Sequence, residues 1–328
     1  MRNVGNTAGQ GVVGQAEVQS LGKRISGILV RNGLLVGFGL LCIGIGALSP
    51  AFLTPSNFIN ILRQVSINGV AAMGQTLVIL TGGIDLSVGS GVGVAGILVA
   101  KLAPYGLLPS VAAALIMCLG AGLVNGLIIT KLRVTPFVAT LGMMAVLRGA
   151  AYVISGGYSI YETPYPVKFV GQGAIAGIPM LVVVVLVVTA IAYYVLKYTV
   201  FGRHVYAIGG NEEGARLAGV RTDRTKIWVY VLSGLAMGIA GIMLAGRMNT
   251  GEPTAGTGYE LDCIAAVVIG GTSLMGGQGG VVGTLLGALV LGVVNNGMNI
   301  LNVNVYWQQV VKGAIIIFAV VIDQLKNR

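Results

Sequence analysis

The sequence consists mainly of long apolar stretches that short polar stretches separate. A transmembrane helix needs about 20 apolar residues to cross the hydrocarbon core of a bilayer. Ten windows meet or nearly meet this length, two of them short, and they predict an all-α, polytopic membrane bundle with about ten transmembrane helices. The approximate windows are Gly33–Ser49, Ile61–Leu80, Val88–Leu102, Leu107–Thr130, Thr135–Ser155, Ile178–Leu196, Ile227–Gly246, Cys263–Met275, Val281–Leu301 and Val305–Ile322.

One stretch, Lys197–Lys226, departs from this apolar pattern. It carries six basic and three acidic residues between two strongly apolar runs. A segment this polar is not stable in hydrocarbon, so it is predicted to lie in water between two membrane helices. Its excess of lysine and arginine places it on the cytoplasmic side.

A short helix is predicted within this polar stretch. Asn211 can cap it, and Glu212 and Glu213 then fall in the first turn, where the helix dipole favours negative charge. Ala215 and Arg216 are good helix formers, and Gly219 is a natural C-terminal stop. The pattern predicts about two helical turns across the cytoplasmic mouth of the bundle. The alternative is a solvated loop that only sets the topology.

Charge supports an even number of crossings with both termini in the cytoplasm. Alternation puts the basic segments 131–133, 197–226 and the C-terminal end inside. The segments 50–60, 155–177 and 247–262 then fall outside, without a basic excess. Residues 1–32 are predicted to be a poorly ordered cytoplasmic tail, and residues 33–328 a single transmembrane domain with the polar segment 197–226 as its cytoplasmic loop.

Composition narrows the class of protein further. Of 328 residues, 55% are hydrophobic and only 9% are charged, which excludes an ordinary soluble domain. The net charge of +10 is explained by topology and anionic membrane lipid rather than by nucleic acid. The three cysteines lack metal-ligand or redox spacing, and there is one histidine, so neither a metal site, a cofactor nor a catalytic constellation is expected.

A glycine-rich turn with one charge, Thr81–Ser90, interrupts the apolar region. Glycines beside Asp85 allow helix ends to unwind, and a carboxylate at membrane depth is a functional-site hypothesis by default. Alternatively Asp85, with Ser87, caps the helix that begins near Val88, close to the cytoplasmic face. The run Gly270–Leu274 is similar to Gly82–Leu86, which suggests an internal repeat.

Several uncharged amides lie in or near the predicted spans. Such side chains form hydrogen bonds between membrane helices, or with the hydroxyl groups of a solute that passes through. Together with Asp85, they are the candidates for a translocation path: Asn68, Gln75, Asn125, Asn295, Asn296 and Asn299.

Three separated motifs resemble one known family. The segment Glu213-Gly214-Ala215-x-x-x-Gly219 is similar to the E-A-A-x-x-x-G loop of ABC importer permeases, with Gly214 in place of alanine. With ILTGGIDLSVGS and PTAGTGYELDCIAAVVIGGTSLMGG, it resembles the permease subunits of bacterial monosaccharide ABC importers, and among them most closely the ribose permeases. The resemblance extends from about Leu34 to the C-terminus.

The resemblance implies an ABC importer permease fold in the bacterial inner membrane. It implies a homodimer of this chain, a partner ATPase of one tandem or two separate chains, and a periplasmic sugar-binding protein. ATP hydrolysis would occur on the partner, and this sequence contains no phosphate-binding loop of its own. The residues that match the family's coupling region are Asn211, Glu212, Glu213, Ala215, Arg216 and Gly219.

The substrate that the resemblance implies is a monosaccharide, with ribose first. Arabinose, xylose, galactose or another small solute are the alternatives within the family. A secondary transporter or channel is the alternative outside it, although coupling to ions usually shows as several intramembrane ionisable residues, and Asp85 is the single good candidate in this sequence. A membrane enzyme is the third class, and the sequence shows no catalytic group for it.

Overall fold

A computed structural model describes residues 33–326 of the chain. Within this range the chain forms thirteen α-helices, two short 3₁₀ segments and four two-residue strands. The helices are α1 Gly33–Leu48, α2 Pro55–Leu80, α3 Val88–Lys101, α4 Leu107–Lys131, α5 Pro136–Ser155, α6 Tyr165–Gln172, α7 Met180–Tyr198, α8 Val200–Gly210, α9 Glu212–Leu217, α10 Thr222–Met248, α11 Tyr259–Ile269, α12 Val281–Ile300 and α13 Val305–Lys326.

Each of the ten apolar windows contains a helix, so the helical membrane fold is confirmed. The bounds differ where local signals extend or stop a helix. Helix α2 begins six residues before its window, at Pro55, because proline suits the first helical turn. Helix α11 ends at Ile269, six residues before its window does, because Gly271 adopts φ +86° and turns the chain.

Five of the described helices are long and apolar enough to cross a membrane. These are α4, α5, α7, α10 and α12. The others are shorter or less apolar, and the number of crossings stays a prediction.

The described chain divides into two units after Leu48. Helix α1 belongs to the first unit, and the remaining helices belong to the second. The predicted tail, residues 1–32, lies outside the described residues, and so do residues 327–328 at the C-terminal end. The domain boundary at residue 32 and the cytoplasmic placement of both termini therefore stay predictions.

Helix α10 lies at the centre of the second unit and packs against α2, α3, α4 and α6. Glycines make the contacts close. A Cβ built on Gly122 of α4 would lie 2.2 Å from the Tyr230 carbonyl oxygen, and one on Gly74 of α2 would lie 2.9 Å from the Ser233 Cα. Small residues at such positions let membrane helices approach and gain packing energy.

Helices α2 and α12 are joined by polar side chains along their contact. The hydroxyls of Thr76 and Thr284 lie 2.8 Å apart. Asn57 and Asn296 form a reciprocal amide pair, with bonds of 3.0 Å and 2.7 Å. These pairs satisfy buried polar groups between two otherwise apolar helices.

Two polar regions lie at opposite ends of α10. One comprises α8, α9 and the turn that leads into α10, and the other comprises the segments 156–177 and 249–258. At 1.5 Å per residue, the 27 residues of α10 separate them by about 40 Å, enough to span a bilayer. If one region is cytoplasmic, the other faces outward.

Candidate functional site

The short helix predicted in the polar stretch is present as α9. The Asn211 side-chain oxygen accepts a hydrogen bond from the Gly214 N–H at 2.8 Å, which is the expected N-cap. Gly219 adopts φ +85°, and the Val220 N–H returns to the Ala215 carbonyl at 3.0 Å. Both predicted helix ends are therefore confirmed by geometry.

A second helix, α8, precedes α9 and was missed by the sequence reasoning. Its glycines lower helix propensity, but Val205 and Ile208 are buried on one face. The Tyr206 hydroxyl donates to the Gly279 carbonyl at 2.9 Å, and burial raises the pKa of this phenol. The apolar spacing of Val205 and Ile208 was the signal that could have revealed this helix.

The two acidic residues of α9 have different roles. Glu212 turns toward the protein, with its carboxylate 2.5 Å from the Lys226 amine and 3.6 Å from the Arg216 guanidinium. Glu213 is exposed and forms no ion pair with any residue that the structure describes. Ala215 is buried, whereas Leu217 is 82% exposed. The helix thus presents an acid, a base and an apolar side chain to water.

A basic cleft of about 660 Å³ lies beside α9. The ion pair between Lys131 and Asp223, 3.6 Å apart and largely exposed, lies at this cleft. The cations outnumber the single carboxylate, so the cleft is electropositive and suits an acidic partner. Its basic lining residues are Lys131, Arg133, Arg216, Arg221 and Arg224.

The two segments at the other end of α10 form one surface. Ile160–Tyr161 pairs antiparallel with Thr250–Gly251. Arg148 of α5 donates to the Pro253 and Ala255 carbonyls at 2.7 Å and 2.8 Å. The surface is rich in exposed aromatic side chains, which can contact another protein. These are Tyr158, Tyr161 and Tyr165.

Asp85 lies inside the second unit with none of its surface exposed. One carboxylate oxygen accepts from the Ser87 N–H at 2.9 Å and from the Ser87 hydroxyl at 2.6 Å, and the other accepts from the Ser233 hydroxyl at 2.9 Å. Ser233 lies eleven residues into α10, about 16 Å along its axis. Asp85 therefore connects Ser87, the residue before α3, with the central helix. The predicted helix cap is not formed, because α3 has no side-chain cap hydrogen bond from Asp85 or Ser87.

Two predicted amides hold the same turn. With its nitrogen toward the Asp85 carbonyl, the Gln75 amide donates to that oxygen at 3.0 Å and accepts from the Asp85 N–H at 3.2 Å. The Asn125 amide of α4 donates to the Ser87 hydroxyl at 3.2 Å. The structure thus brings Gln75, Asp85 and Asn125 together.

The other four predicted amides lie elsewhere. Asn296 pairs with Asn57, and exposed Asn299 accepts from the Gln308 amide at 2.9 Å. Asn68 of α2 and Asn295 of α12 each have a buried side-chain oxygen without a hydrogen-bond partner among the described residues.

The two glycine-rich turns, at residues 81–87 and 270–280, are in contact with each other and with the end of α8. The Gly277 N–H donates to the Leu80 carbonyl at 3.0 Å. A Cβ built on Gly209 would lie 1.9 Å from the Leu80 carbonyl oxygen and 2.3 Å from the Gly277 nitrogen. Side chains larger than hydrogen have no room here, which explains the glycines.

Both turns also end their helices in the same way. The Gly82 and Gly83 N–H groups return to the Ile79 and Val78 carbonyls, and the Gly271 and Thr272 N–H groups return to the Val268 and Val267 carbonyls. Gly82 therefore corresponds in structure to Gly271, one position from the match that the sequence suggested.

Comparison with known proteins identifies this architecture. The family model described as "Branched-chain amino acid transport system / permease component" matches residues 57–320. The ribose import permease protein RbsC of Bacillus subtilis (strain 168) is 45% identical over 317 residues, covering 95% of this chain and 98% of the relative. RbsC of Escherichia coli (strain K12) is 45% identical over 305 residues, covering 91% and 95%.

A further relative carries another substrate name. The L-arabinose transport system permease protein AraH of Escherichia coli (strain K12) is 40% identical over 300 residues, covering 91% of this chain and 92% of the relative. No solved structure matches the chain significantly.

Proposed function

Because the chain belongs to the permease family of ABC importers, whose membrane subunits work with a separate ATPase and a periplasmic binding protein, we propose that it forms the path through which an ATP-driven importer carries ribose across the inner membrane. The observation that carries the proposal is the 45% identity to ribose import permeases over 95% of the chain. The family description names amino acids, but the relatives with this level of identity are named for ribose, and the arabinose permease is less similar.

The helix α9 and its surroundings are the proposed docking site for the ATPase. We assign the coupling role to the six residues predicted from the sequence, and each contributes differently to the docking helix. Asn211 and Gly219 fix the ends of the helix, and Ala215 and Glu212 hold it against the protein. Glu213 forms no ion pair among the described residues and is free to contact a partner, and the exposed Arg216, which pairs with Glu212 at 3.6 Å, can also reach one.

The exposed apolar tip Leu217 and the adjacent basic cleft complete this docking surface. Buried apolar anchors surrounded by charged rims are characteristic of protein interfaces. Hydrolysis of ATP takes place on the partner in this proposal, and the present chain has no enzymatic activity of its own. Two copies of the chain form the path, with the N-terminus and the C-terminus in the cytoplasm.

The proposed periplasmic partner binds at the other end of α10. The antiparallel pairing of Ile160–Tyr161 with Thr250–Gly251 holds the backbone beside the exposed tyrosines in place. Tyrosine supplies large contact area at a low entropy cost, which suits transient docking of a sugar-loaded binding protein.

Uncharged sugar needs hydrogen-bond partners along the path rather than ions. Asn68 and Asn295 are the best candidates among the predicted amides, because their buried side-chain oxygens can accept from sugar hydroxyls. The Asn125 oxygen also lacks a partner among the described residues, but the Asn125 amide nitrogen already donates to Ser87. Substitution of Asn68 by alanine should lower uptake while ATP hydrolysis continues. Equal uptake by this variant would remove Asn68 from the path.

Reconstitution tests the proposed function. Vesicles that contain this chain, its ATPase and its binding protein should accumulate labelled ribose with ATP, and not with a non-hydrolysable ATP analogue. Arabinose and allose in excess should compete poorly. Equal accumulation without ATP, or purification of an active transporter without a nucleotide-binding subunit, would instead support a secondary transporter.

A further inference from the structure

We propose that Asp85 is a positioning residue that connects movement of the α8–α9 segment to the start of helix α3. The inference rests on the proposed function of the chain as an importer permease. It concerns the Asp85 cluster, which consists of Gln75, Asp85, Ser87, Asn125 and Ser233 and is held together by hydrogen bonds.

The environment of the Asp85 carboxyl group is the first feature that supports this role. Asp85 is completely buried, and the four ion pairs among the described residues all lie elsewhere. Asp85 is not the N-cap of α3, because that helix has no side-chain cap hydrogen bond, so capping does not account for this buried group. An ionisable group within a membrane bundle is costly and usually has a function. The bond to Ser233 of α10 is the contact that a simple cap does not explain.

Four helices hold the turn between α2 and α3. Gln75 of α2, Asn125 of α4 and Ser233 of α10 contribute side chains to the cluster. The Thr140 hydroxyl of α5 lies 3.1 Å from the Ile84 carbonyl and shares its proton with the Pro136 carbonyl of its own helix at 2.9 Å. The position of the first residue of α3 is therefore fixed relative to the whole bundle.

The glycine-rich turns also make direct backbone contact with the α8–α9 segment. A Cβ built on Gly276 would lie 2.9 Å from both the Gly209 Cα and the Gly82 nitrogen. Together with the hydrogen bond from Gly277 to Leu80, this joins three backbones without a side chain between them. Close-packed backbones transmit a displacement because no flexible side chain can absorb it.

The consequence follows from the order of these segments. Gly209 lies two residues before Asn211, the cap of α9. A shift of α9 when the ATPase closes must move Gly209, and hence the turn that contains Asp85. The bonds from Asp85 to Ser87 and Ser233 then determine how far the start of α3 moves relative to α10. Asp85 acts through position and does not bind the sugar.

The test compares Ser233→Ala with Ser66→Ala in the complete reconstituted complex. Both serines are buried in helices, but the Ser66 hydroxyl has one hydrogen-bond partner among the described residues, the Leu62 carbonyl of its own helix. We measure ribose imported per ATP hydrolysed and stimulation of ATPase activity by the loaded binding protein. Loss of this bond leaves a buried carboxyl oxygen without its partner and should lower ribose imported per ATP by about tenfold in Ser233→Ala. Ser66→Ala should match the unsubstituted protein.

A purely structural role would give a different result. It would lower the amount of assembled complex, and with it uptake and ATP hydrolysis in the same proportion, leaving ribose per ATP unchanged. That result would overturn the proposal. Asp85→Asn keeps one side-chain oxygen and gains an amide that can form a hydrogen bond. This variant should therefore import more ribose per ATP than Ser233→Ala does. If Ser233→Ala does not assemble, Asn125→Ala is used in its place, because it removes another hydrogen bond of the Asp85 cluster, the one to the Ser87 hydroxyl.

Failure of the inference and failure of the proposed function are distinguishable. If the unsubstituted complex shows no ATP-dependent uptake, the proposed function is wrong. If it does, and both serine variants import equal amounts of ribose per ATP, only the role of Asp85 is wrong.

Discussion

Two neighbouring regions of this molecule are built on opposite principles. The α9 region is polar and exposed, and its shape comes from side chains: an asparagine cap, an ion pair at 2.5 Å and a glycine stop. The two glycine-rich turns beside it are partly exposed, and their shape comes from backbones in contact. The α9 region can therefore bind and release another protein. The contact between the turns can transmit movement, but it has almost no room for an added atom.

This difference explains why a coupling device needs both kinds of structure. An exposed helix with charged residues offers a specific surface for a separate ATPase. A rigid contact behind it prevents the movement of that helix from dissipating in side-chain rearrangements. The following substitutions test the two regions in order of expected effect.

The largest effect is expected from Gly209→Ala. The new methyl group would meet the Leu80 carbonyl oxygen at 1.9 Å, so a backbone must shift. Overpacking of this kind costs about 1–3 kcal/mol. Thermal unfolding of the purified protein should occur at a clearly lower temperature.

The neighbouring glycine supplies the control for this substitution. A Cβ on Gly210 would meet nothing within 4 Å, so Gly210→Ala should be neutral or slightly stabilising. Equal unfolding temperatures for the two variants would contradict the proposed backbone contact.

Glu213→Lys tests the exposed region. Because Glu213 forms no described ion pair, its reversal should spare the fold and weaken ATPase association by about tenfold, as for a charge at an interface rim. Co-purification of the ATPase and ribose uptake measure the effect. Unchanged uptake would count against α9 as the docking helix.

Asn211→Ala should have a smaller effect on the same helix. Loss of an N-cap costs about 1 kcal/mol, so hydrogen exchange in α9 should rise by about fivefold. Asn211→Asp retains the acceptor for the Gly214 N–H and should exchange as the unsubstituted protein does. A similar increase in both variants would show that the cap does not determine the stability of α9.

The smallest effect is expected from Thr76→Val, away from both regions. It removes the hydroxyl contact with Thr284 between α2 and α12. Hydrogen bonds between membrane helices contribute about 0.6 kcal/mol on average, so the unfolding temperature should fall only slightly. A loss as large as that of Gly209→Ala would mean that side-chain pairs matter as much as the backbone contact does.

The difference between the α9 region and the glycine-rich turns also determines which features could be predicted from the sequence. Apolar windows predicted the helices, and the Asn211 cap and Gly219 stop predicted α9, because these signals are local. The contact among Gly82, Gly209 and Gly276 was not predictable, because glycine shows that space is scarce but not which segment fills it. Helix α8 was missed because three glycines obscured its short apolar pattern.

The hydrogen-bond partners of buried polar groups could not be predicted from local sequence patterns either. Asp85 could be recognised as unusual from its surroundings in the sequence, but Ser233 is 148 residues away. The pairing of the two outer segments through Ile160–Tyr161 and Thr250–Gly251 likewise joins distant parts of the chain. Such contacts depend on how the helices pack, which local patterns do not contain.

The most direct test of the account is the side of the membrane on which α9 lies. Cys118 and Cys263 are buried, so replacing Cys42 by alanine leaves a suitable background. In this background, Arg216→Cys and Tyr161→Cys are treated separately with a membrane-impermeant maleimide, in spheroplasts and in inverted vesicles. The account predicts that the cysteine at position 216 reacts in inverted vesicles and the one at 161 in spheroplasts. Labelling of position 216 in spheroplasts would contradict the claim that a cytoplasmic ATPase docks there.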